Sequence, residues 1–476
     1  MTDSNQMPIK FGTDGWRAAI ADEFTVANVR VCAQALADVM AADGTAADGL
    51  VVAWNSRFGS EMFARAVANV ATGNDIAVRL ASAPTPTPAA SFAVVRAGAG
   101  AGVVITASHN PAADNGFKVK SALGGSASPE LIARIEDRIP AIYRDPSLIN
   151  SAAGGGEPAS LDVRDEYLHA ITGLVDIDAI RAAGFNIVVE SMYGAGGGYL
   201  PQVLDGGATT VTELHGSPNP AFPGMSQPEP VERNLADLMA AVKDSAPDVS
   251  IALDGDADRV GIVDEQGTYL TTLDVFSVIV HHLLKRRGWT GPIVTTITQS
   301  TMIQRLAEKY GQENPRTPVG FKYVGPLMLE SDAIAGGEES GGYAYRGHVP
   351  ERDGILSGLF FVEAMVASGL TPSQLLAEVH EVTGPFVFDR VDLHFDPTSR
   401  DEILKRMQNS QPTSIAGLAV EEIDRRDGTR FVMADGAWAL ARFSGTEPLL
   451  RIYAEARDAI TRDCLIEDVK TLALGN

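Results

Sequence analysis

Three times in this chain a short apolar run stops at a polar, glycine-containing loop, and that recurrence limits the fold more than any other feature. The runs are Gly102-Val103-Val104-Ile105, Val249-Ser250-Ile251-Ala252-Leu253 and Ala333-Ile334-Ala335. Each is too short for a stable helix and reads as a strand buried on both faces. Each also closes a β-α-β-α-β succession. In the first, residues 50–54 and 76–80 are strands, 61–72 a helix, and Pro84, Pro86 and Pro88 punctuate a loop ahead of a second helix. In the second, strands over 185–190 and 209–214 alternate with helices over 199–204 and 234–245. The third has strands at 292–297 and 317–319 and helices at 301–310 and 324–330. The alternation predicts an α/β protein with ligands bound beyond the carboxyl ends of its strands. No sequence repeat underlies the rhythm, so the likeness among the three units is architectural.

The chain has 476 residues, too many for one core. A Gly- and Ser-rich break at 150–156 reads as a linker. From Gly384 the pattern changes to a strand over 386–395, a helix over 399–409, several strands and a final helix near 461–474, which predicts a separate α+β unit. The expected division is 1–150, 157–266, 267–380 and 384–476.

A formal net charge of −23 excludes nucleic acid and anionic membrane surfaces as natural partners. A phosphorylated substrate would need basic residues gathered in one cleft, and that gathering is expected. Cys32 and Cys464 stand far apart without metal spacing, and the polar, acidic N-terminus carries no signal-peptide pattern, so a cytoplasmic location is expected. The apolar stretch 89–107 is broken by Arg96 and several glycines, which rules it out as a membrane span.

The loop after the first run reads Thr106-Ala107-Ser108-His109-Asn110-Pro111, with Asn115-Gly116-Phe117-Lys118 following. Pro111 disfavours a helix start at Asn110 and is expected to hold the loop extended, presenting Ser108 while its neighbour His109 points elsewhere. No G-x-S-x-G elbow is present. The loop after the second run, Asp254-Gly255-Asp256-Ala257-Asp258-Arg259, sets three carboxylates at alternate positions. Such close carboxylates repel unless a cation neutralises them, and hard oxygen ligands select Mg²⁺ or Ca²⁺. The third loop, Gly337-Glu338-Glu339-Ser340-Gly341-Gly342, offers carboxylates and a hydroxyl suited to sugar hydroxyls. Arg442-Phe443-Ser444-Gly445-Thr446-Glu447-Pro448 combines a guanidinium, two hydroxyls and flexible backbone, a set suited to phosphate. Taken one at a time, these strings are ordinary turns.

Together they resemble the α-D-phosphohexomutase superfamily, and the likeness extends over the whole chain. Ser108 lies in a string similar to the family's phosphoserine loop, and Phe11-Gly12-Thr13-Asp14-Gly15-Trp16-Arg17 resembles its N-terminal signature. The resemblance implies three topologically similar β-α-β-α-β domains around a central cleft plus a C-terminal α+β domain. It implies Mg²⁺ shared by Asp254, Asp256, Asp258 and a phosphate oxygen on Ser108, with Arg17 and Arg259 beside the phosphoryl group. Glu338 and Ser340 would bind ring hydroxyls, and Arg442, Ser444, Gly445 and Thr446 would hold the phosphate that is not reacting. Lys322, His348 and Arg352, in segments similar to phosphoglucomutases, are further candidates for substrate contact. Lys118, if cations lower its pKa, and His109 are the candidate bases.

The implied reaction moves phosphate between O1 and O6 of an α-D-hexose phosphate through a hexose 1,6-bisphosphate, which also serves as activator. Glu339 is typical of phosphoglucomutases, where mannose-capable members often carry Met and phosphoglucosamine mutases Gln, and both of these tend to have His in place of Gly342. Glucose is therefore the expected sugar. Phosphomannomutase or dual specificity is the alternative, with a metal-dependent sugar phosphatase behind it. A monomer or homodimer is expected. Gripping two phosphates in turn would require the last domain to rotate near Thr383-Gly384-Pro385.

Overall fold

The computed structural model describes residues 9–151, 157–444 and 449–475. It is an α/β protein with four sheets. In the first, Leu50–Trp54 runs parallel to Val78–Ala81 on one side and Ala101–Ile105 on the other, and Asp114–Ser121 folds back antiparallel beside the latter. In the second, Asn186–Glu190 takes the central place between Thr210–Leu214 and Val249–Leu253, with Val260–Val263 folding back. The third repeats this with Ile293–Thr296, Arg316–Thr317, Ala335–Gly337 and Tyr343–Tyr345.

All three sheets thus have the spatial order second, first, third, fourth, the fourth strand being one the sequence pattern does not announce. The loop between third and fourth strands carries Ser108 in one unit, the aspartate triplet in the next and Glu338 in the last. Equal topology puts the three loops at equivalent corners. Short edge strands widen two of the sheets. Trp16–Ala19 pairs with Asp114–Ser121, and Ala159–Leu161 runs parallel to Val78–Ala81. Tyr269–Leu270 pairs with Val260–Val263. The first and second sheets therefore extend a few residues past the expected divisions at 157 and 267.

Local chemistry sets the helix ends. Helix Val26–Asp43 starts where Thr25 accepts from the Asn28 amide and stops at Gly44, whose φ of 76° suits glycine. Asp353 caps helix Gly354–Ser368 through the Leu356 amide. That helix is buried in one continuous apolar core with residues of the second and third sheets, such as Leu253, Ile262, Ile293 and Tyr343. Units two and three share this core and hold a fixed relation.

The last unit is a six-stranded antiparallel sheet in the order Val387–His394, Leu449–Ala456, Trp438–Phe443, Thr429–Met433, Leu418–Asp424, Ser414–Ile415. Helices Arg400–Asn409 and Ala459–Leu474 share the core on one of its faces. The other face meets the third unit through a small cluster of Ile297, Trp438, Leu440 and Tyr453. No single helix among the described residues is long and apolar enough to cross a membrane.

Candidate active site

Ser108 sits in a tight turn. Its φ is 51°, it is 1% exposed, and the Asn110 amide bonds the Ala107 carbonyl. The expected extended loop is corrected here: the Asn110–Ala107 bond closes a compact turn that brings His109 back, so that its Nδ1 lies 3.3 Å from Ser108 Oγ. Arg57, which follows the first parallel strand, fixes the turn. It donates to the carbonyls of Ser108 at 2.7 Å, Pro111 at 2.7 Å and Asp114 at 2.9 Å, and also to that of Asn110. Thr106 accepts from the Ser108 amide at 2.9 Å and from Asn55 at 2.8 Å.

The aspartate loop reaches the same point. Ser108 Oγ donates to Asp254 Oδ2 at 2.9 Å. The approach depends on Gly255, since a Cβ there would lie 2.8 Å from the Ser108 carbonyl oxygen. Asp254 Oδ1 accepts from the amides of Asp258 and Arg259 at 2.9 and 3.1 Å. Asp256 Oδ2 accepts from Thr87 at 2.6 Å and Lys118 at 3.0 Å. Asp258 Oδ2 meets Lys118 at 3.2 Å and Arg352 at 2.9 Å.

Asp256 Oδ1 and Asp258 Oδ1 are buried with no hydrogen-bond partner. One oxygen from each of the three aspartates falls within a 4.8 Å cluster. Asp258 Oδ1 has a counter-charge in Arg259 Nε, 3.9 Å away. Leaving anionic oxygens buried without hydrogen bonds is costly, and a hard divalent cation would satisfy them, so the residues fit Mg²⁺. An EF-hand is excluded. Glu265 holds the twelfth place counted from Asp254, but the strand carries it off to accept from Thr371 at 2.8 Å and from Ser373. Burial and the charges of Asp256 and Asp258 push the Asp254 carboxyl well above its usual range. Burial also opposes ionisation of Asp256, yet Lys118 and hydrogen bonds from Asp254 and Thr87 hold it below.

The expected gathering of cations is present. Lys118 is wholly buried against Asp14 at 2.9 Å, Asp256 and Asp258. Burial alone would lower its pKa, but the three carboxylates outweigh burial and raise it. Asp14, Asp256 and Asp258 thus favour the ammonium form of Lys118, the opposite direction from the lowered pKa that a base there would use. Burial, then Arg259 and Arg17, drive His109 well below the usual imidazole value, so it is neutral. Arg17 donates to Asn110 Oδ1 at 2.9 Å, and Arg259 pairs with Glu229 at 3.0 Å.

Arg352 links three units. It pairs with Asp14 at 2.5 Å, Asp258 at 2.9 Å and Glu338 at 3.5 Å. A Cβ on Gly342 would stand 2.3 Å from Arg352 Cδ, so a glycine is needed there for the arginine to pass. Glu338 also accepts from the Gly320 amide at 3.0 Å, and burial, partly offset by Arg352, lifts its carboxyl to about 7. Glu339 accepts from Thr298 at 2.5 Å. Ser340 and Lys322 are half-buried in the same region of the third unit.

Two residues expected to reach substrate are packed inside instead. Arg352 is 4% exposed and spends itself on the carboxylates above. His348 binds Asp353 at 3.0 Å and packs beside Phe92 and Tyr167, which also touch each other, because the loop that carries it folds down onto the helix cap.

In the last unit Arg442 Nε binds Asp427 at 2.8 Å, and Asp427 also accepts from the Val319 amide of the third unit at 2.9 Å. Ser444 is buried, its amide bonded to the Leu449 carbonyl. Gly445 and Thr446 lie outside the described residues. A continuous polar network thus runs from Ser108 through Asp254, Asp258, Arg352 and Glu338 to the Gly320 amide, beside Val319, and on to Asp427 and Arg442. Arg57, Asp14 and Asp427 were not singled out from sequence. Arg57 had a local signal, as a basic residue in the polar string just past a buried strand, and Asp14 lay inside the N-terminal string that carries the resemblance.

Comparison with known proteins agrees along the whole length. Four successive patterns match: phosphoglucomutase/phosphomannomutase alpha/beta/alpha domain I over residues 8–145, domain II over 165–267, domain III over 274–382 and the C-terminal domain over 400–469. A Thermococcus kodakarensis protein named phosphoglucomutase/phosphomannomutase is 31% identical over 94% of each chain. A Clavibacter sepedonicus protein named phosphoglucosamine mutase is 31% identical over 98% of each. A Thermus thermophilus crystal structure, provisionally assigned as a phosphomannomutase, superposes with a TM-score of 0.85 at 33% identity, covering 98% of this chain and 100% of that one.

Proposed function

Since the chain belongs to the phosphoglucomutase/phosphomannomutase family of phosphohexomutases, isomerases that act on small phosphosugars, we propose that it interconverts glucose 1-phosphate and glucose 6-phosphate through a phosphorylated Ser108. The observation that carries this reading is the Ser108 hydroxyl bonded to Asp254, with buried oxygens of Asp256 and Asp258 that lack a hydrogen bond close by. The same reading divides the chain at 1–150, 157–266, 267–380 and 384–476, give or take the edge strands.

In the first half-reaction the phosphoryl group on Ser108 passes to the free hydroxyl of the bound sugar phosphate, giving a hexose 1,6-bisphosphate. The Ser–O–P bond breaks as the sugar O–P bond forms; the sugar's proton leaves to a base, and Ser108 Oγ takes up a proton as it departs, ending as the hydroxyl. The bisphosphate then turns within the cleft, and its other phosphoryl group moves to Ser108. In that second step the Ser108 hydroxyl must shed a proton, and the neutral His109 imidazole at 3.3 Å is the supported acceptor. Asp254, Asp256 and Asp258, with an oxygen on Ser108, would hold Mg²⁺, which when bound supplies positive charge to offset the negative charge developing on the phosphoryl oxygens. Arg17 and Arg259 add fixed positive charge beside the turn. Arg442 and Ser444, with Gly445 and Thr446, would grip the non-reacting phosphate, while Glu338 and Ser340 orient ring hydroxyls.

Domain rotation of the last unit at Thr383-Gly384-Pro385 is supported by its small apolar contact with the third unit and by Gly384 at φ 70° and ψ 159°. Glucose is supported by Glu339 and by Gly342, since Arg352 fills the space a histidine side chain there would need. The names of the relatives favour a second reading, activity on mannose or glucosamine phosphates. Steady-state isomerisation of the three hexose 1-phosphates, with Mg²⁺ and a trace of bisphosphate, decides. Glucose 1-phosphate should have the highest kcat/KM. A higher value for either competitor overturns the sugar assignment, and release of inorganic phosphate in place of isomerisation would indicate a phosphatase.

A further inference from the structure

A cavity of about 790 Å³ opens between helix Thr301–Lys309 of the third unit and strands Leu418–Asp424 and Thr429–Met433 of the last. Arg305, Lys309, Arg316 and Arg430 line it alongside three glutamates. Arg305 is engaged, donating to the carbonyls of Thr383 at 3.1 Å and Asp435 at 2.8 Å. Arg316 donates to Gln304 at 2.8 Å.

Arg430 is different. It is 0% exposed, yet its Nε, Nη1 and Nη2 have no hydrogen-bond partner. Its guanidinium rests over the Trp438 ring at 4.5 Å. The nearby buried carboxylate, Glu455, accepts from the Thr301 amide at 2.8 Å and from Trp438 Nε1 at 2.9 Å, and makes no bond to Arg430. A guanidinium taken wholly out of water with no hydrogen-bond partner is among the costliest arrangements a protein holds. Its nitrogens are buried even though the residue lines the cavity, so an occupant must draw the side chain off the ring.

We propose that this cavity is an anion site separate from the Ser108 cleft, taking a small tetrahedral dianion, inorganic phosphate or a phosphate monoester, between Arg430 and Arg316. Because those arginines belong to different units, the bound anion ties the last unit to the third.

The test is a titration of the full-length protein at constant ionic strength, with inorganic phosphate in one arm and phenyl phosphate in the other. Binding is followed by equilibrium dialysis and by the Trp438 emission change that W438F removes. Two classes of site are expected, one sensitive to R442M and one to R430M, with R430M weakening its class by about tenfold or more and leaving the other as in the wild type. The tighter arm identifies the natural source. Should R430M fold poorly, R316M carries the same expected loss and R430K an intermediate one. A single class of site lost with R442M, or an unchanged titration in R430M and R316M, overturns the proposal.

Discussion

Ser108 Oγ and Asp254 Oδ2 are 2.9 Å apart although 146 positions separate them in the chain. Two sheets of equal topology make that contact, each offering the loop between its third and fourth strands. The hydroxyl therefore rests already bonded to a carboxylate of the aspartate loop.

Replacing that hydroxyl tests the centre directly. S108A should lower isomerisation by about 10⁴-fold or more, since removal of a covalent nucleophile leaves only binding and electrostatics. Intact mass after incubation with a hexose 1,6-bisphosphate should show phosphoryl uptake in the wild type and none in S108A. Uptake at another residue would remove Ser108 from its role.

R57M should leave the chain folded and the turn loose. With the bonds to four carbonyls gone, kcat is expected to fall about a hundredfold with little change in KM, because the misplaced Ser108 costs positioning and not sugar binding. Rates at saturating sugar phosphate check this, and a change confined to KM would contradict it.

D256N should weaken Mg²⁺ binding by about a hundredfold, as judged from the metal dependence of the initial rate and from calorimetric titration. In the wild type, Mg²⁺ at 100 times its Kd should add about 2.7 kcal/mol of stability and raise the melting temperature, a gain that chelation reverses. Equal melting temperatures with and without Mg²⁺ would count against a metal at the triplet.

Several of these positions were legible in the sequence and others were not, for definite reasons. Ser108, the aspartates and Glu338 each follow a buried apolar strand, and such a strand ending in a polar loop is a local pattern. The segment Asn115-Gly116-Phe117-Lys118 reads as a loop tail but forms a strand, with Phe117 paired to Trp16 and Lys118 to Val104. No alternation marks it, because both faces are buried: Lys118 and Lys120 are countered by Asp256, Asp258 and Glu351 from other units. Asp14 and Asp427 escaped notice for the same reason, since their partners come from distant parts of the chain. The closed turn at Ser108 depends on Arg57, which a reading of Pro111 alone cannot supply.

Glu338 links stability to pH. With its carboxyl lifted to about 7 from an ordinary 4.5, the folded chain binds more protons than the unfolded chain between those values. Stability from this group is therefore greatest below the unfolded value and falls as pH rises through 7, by about 3 kcal/mol in all. E338Q should flatten the decline in unfolding midpoint between pH 5 and pH 8. An equally steep decline in the variant would refute the assignment.

G342A should strike at Arg352. The added methyl meets Arg352 Cδ at 2.3 Å, so the arginine must leave Asp14 and Asp258 or the loop must shift. The expected cost is about 1–3 kcal/mol in stability, with a fall in kcat/KM for every hexose phosphate. Retention of wild-type stability and rate would mean that Arg352 has room to spare.

The guanidinium of Arg352 is anchored by carboxylates from three separate lobes. A hybrid enzyme that exchanges one lobe for that of a relative inherits a mismatch at this crossing, however well the new lobe folds. Transplanting sugar preference between family members therefore requires moving the loops around Asp14, Asp258 and Glu338 as a matched trio, and the same coupling would have restrained piecemeal divergence of the lobes.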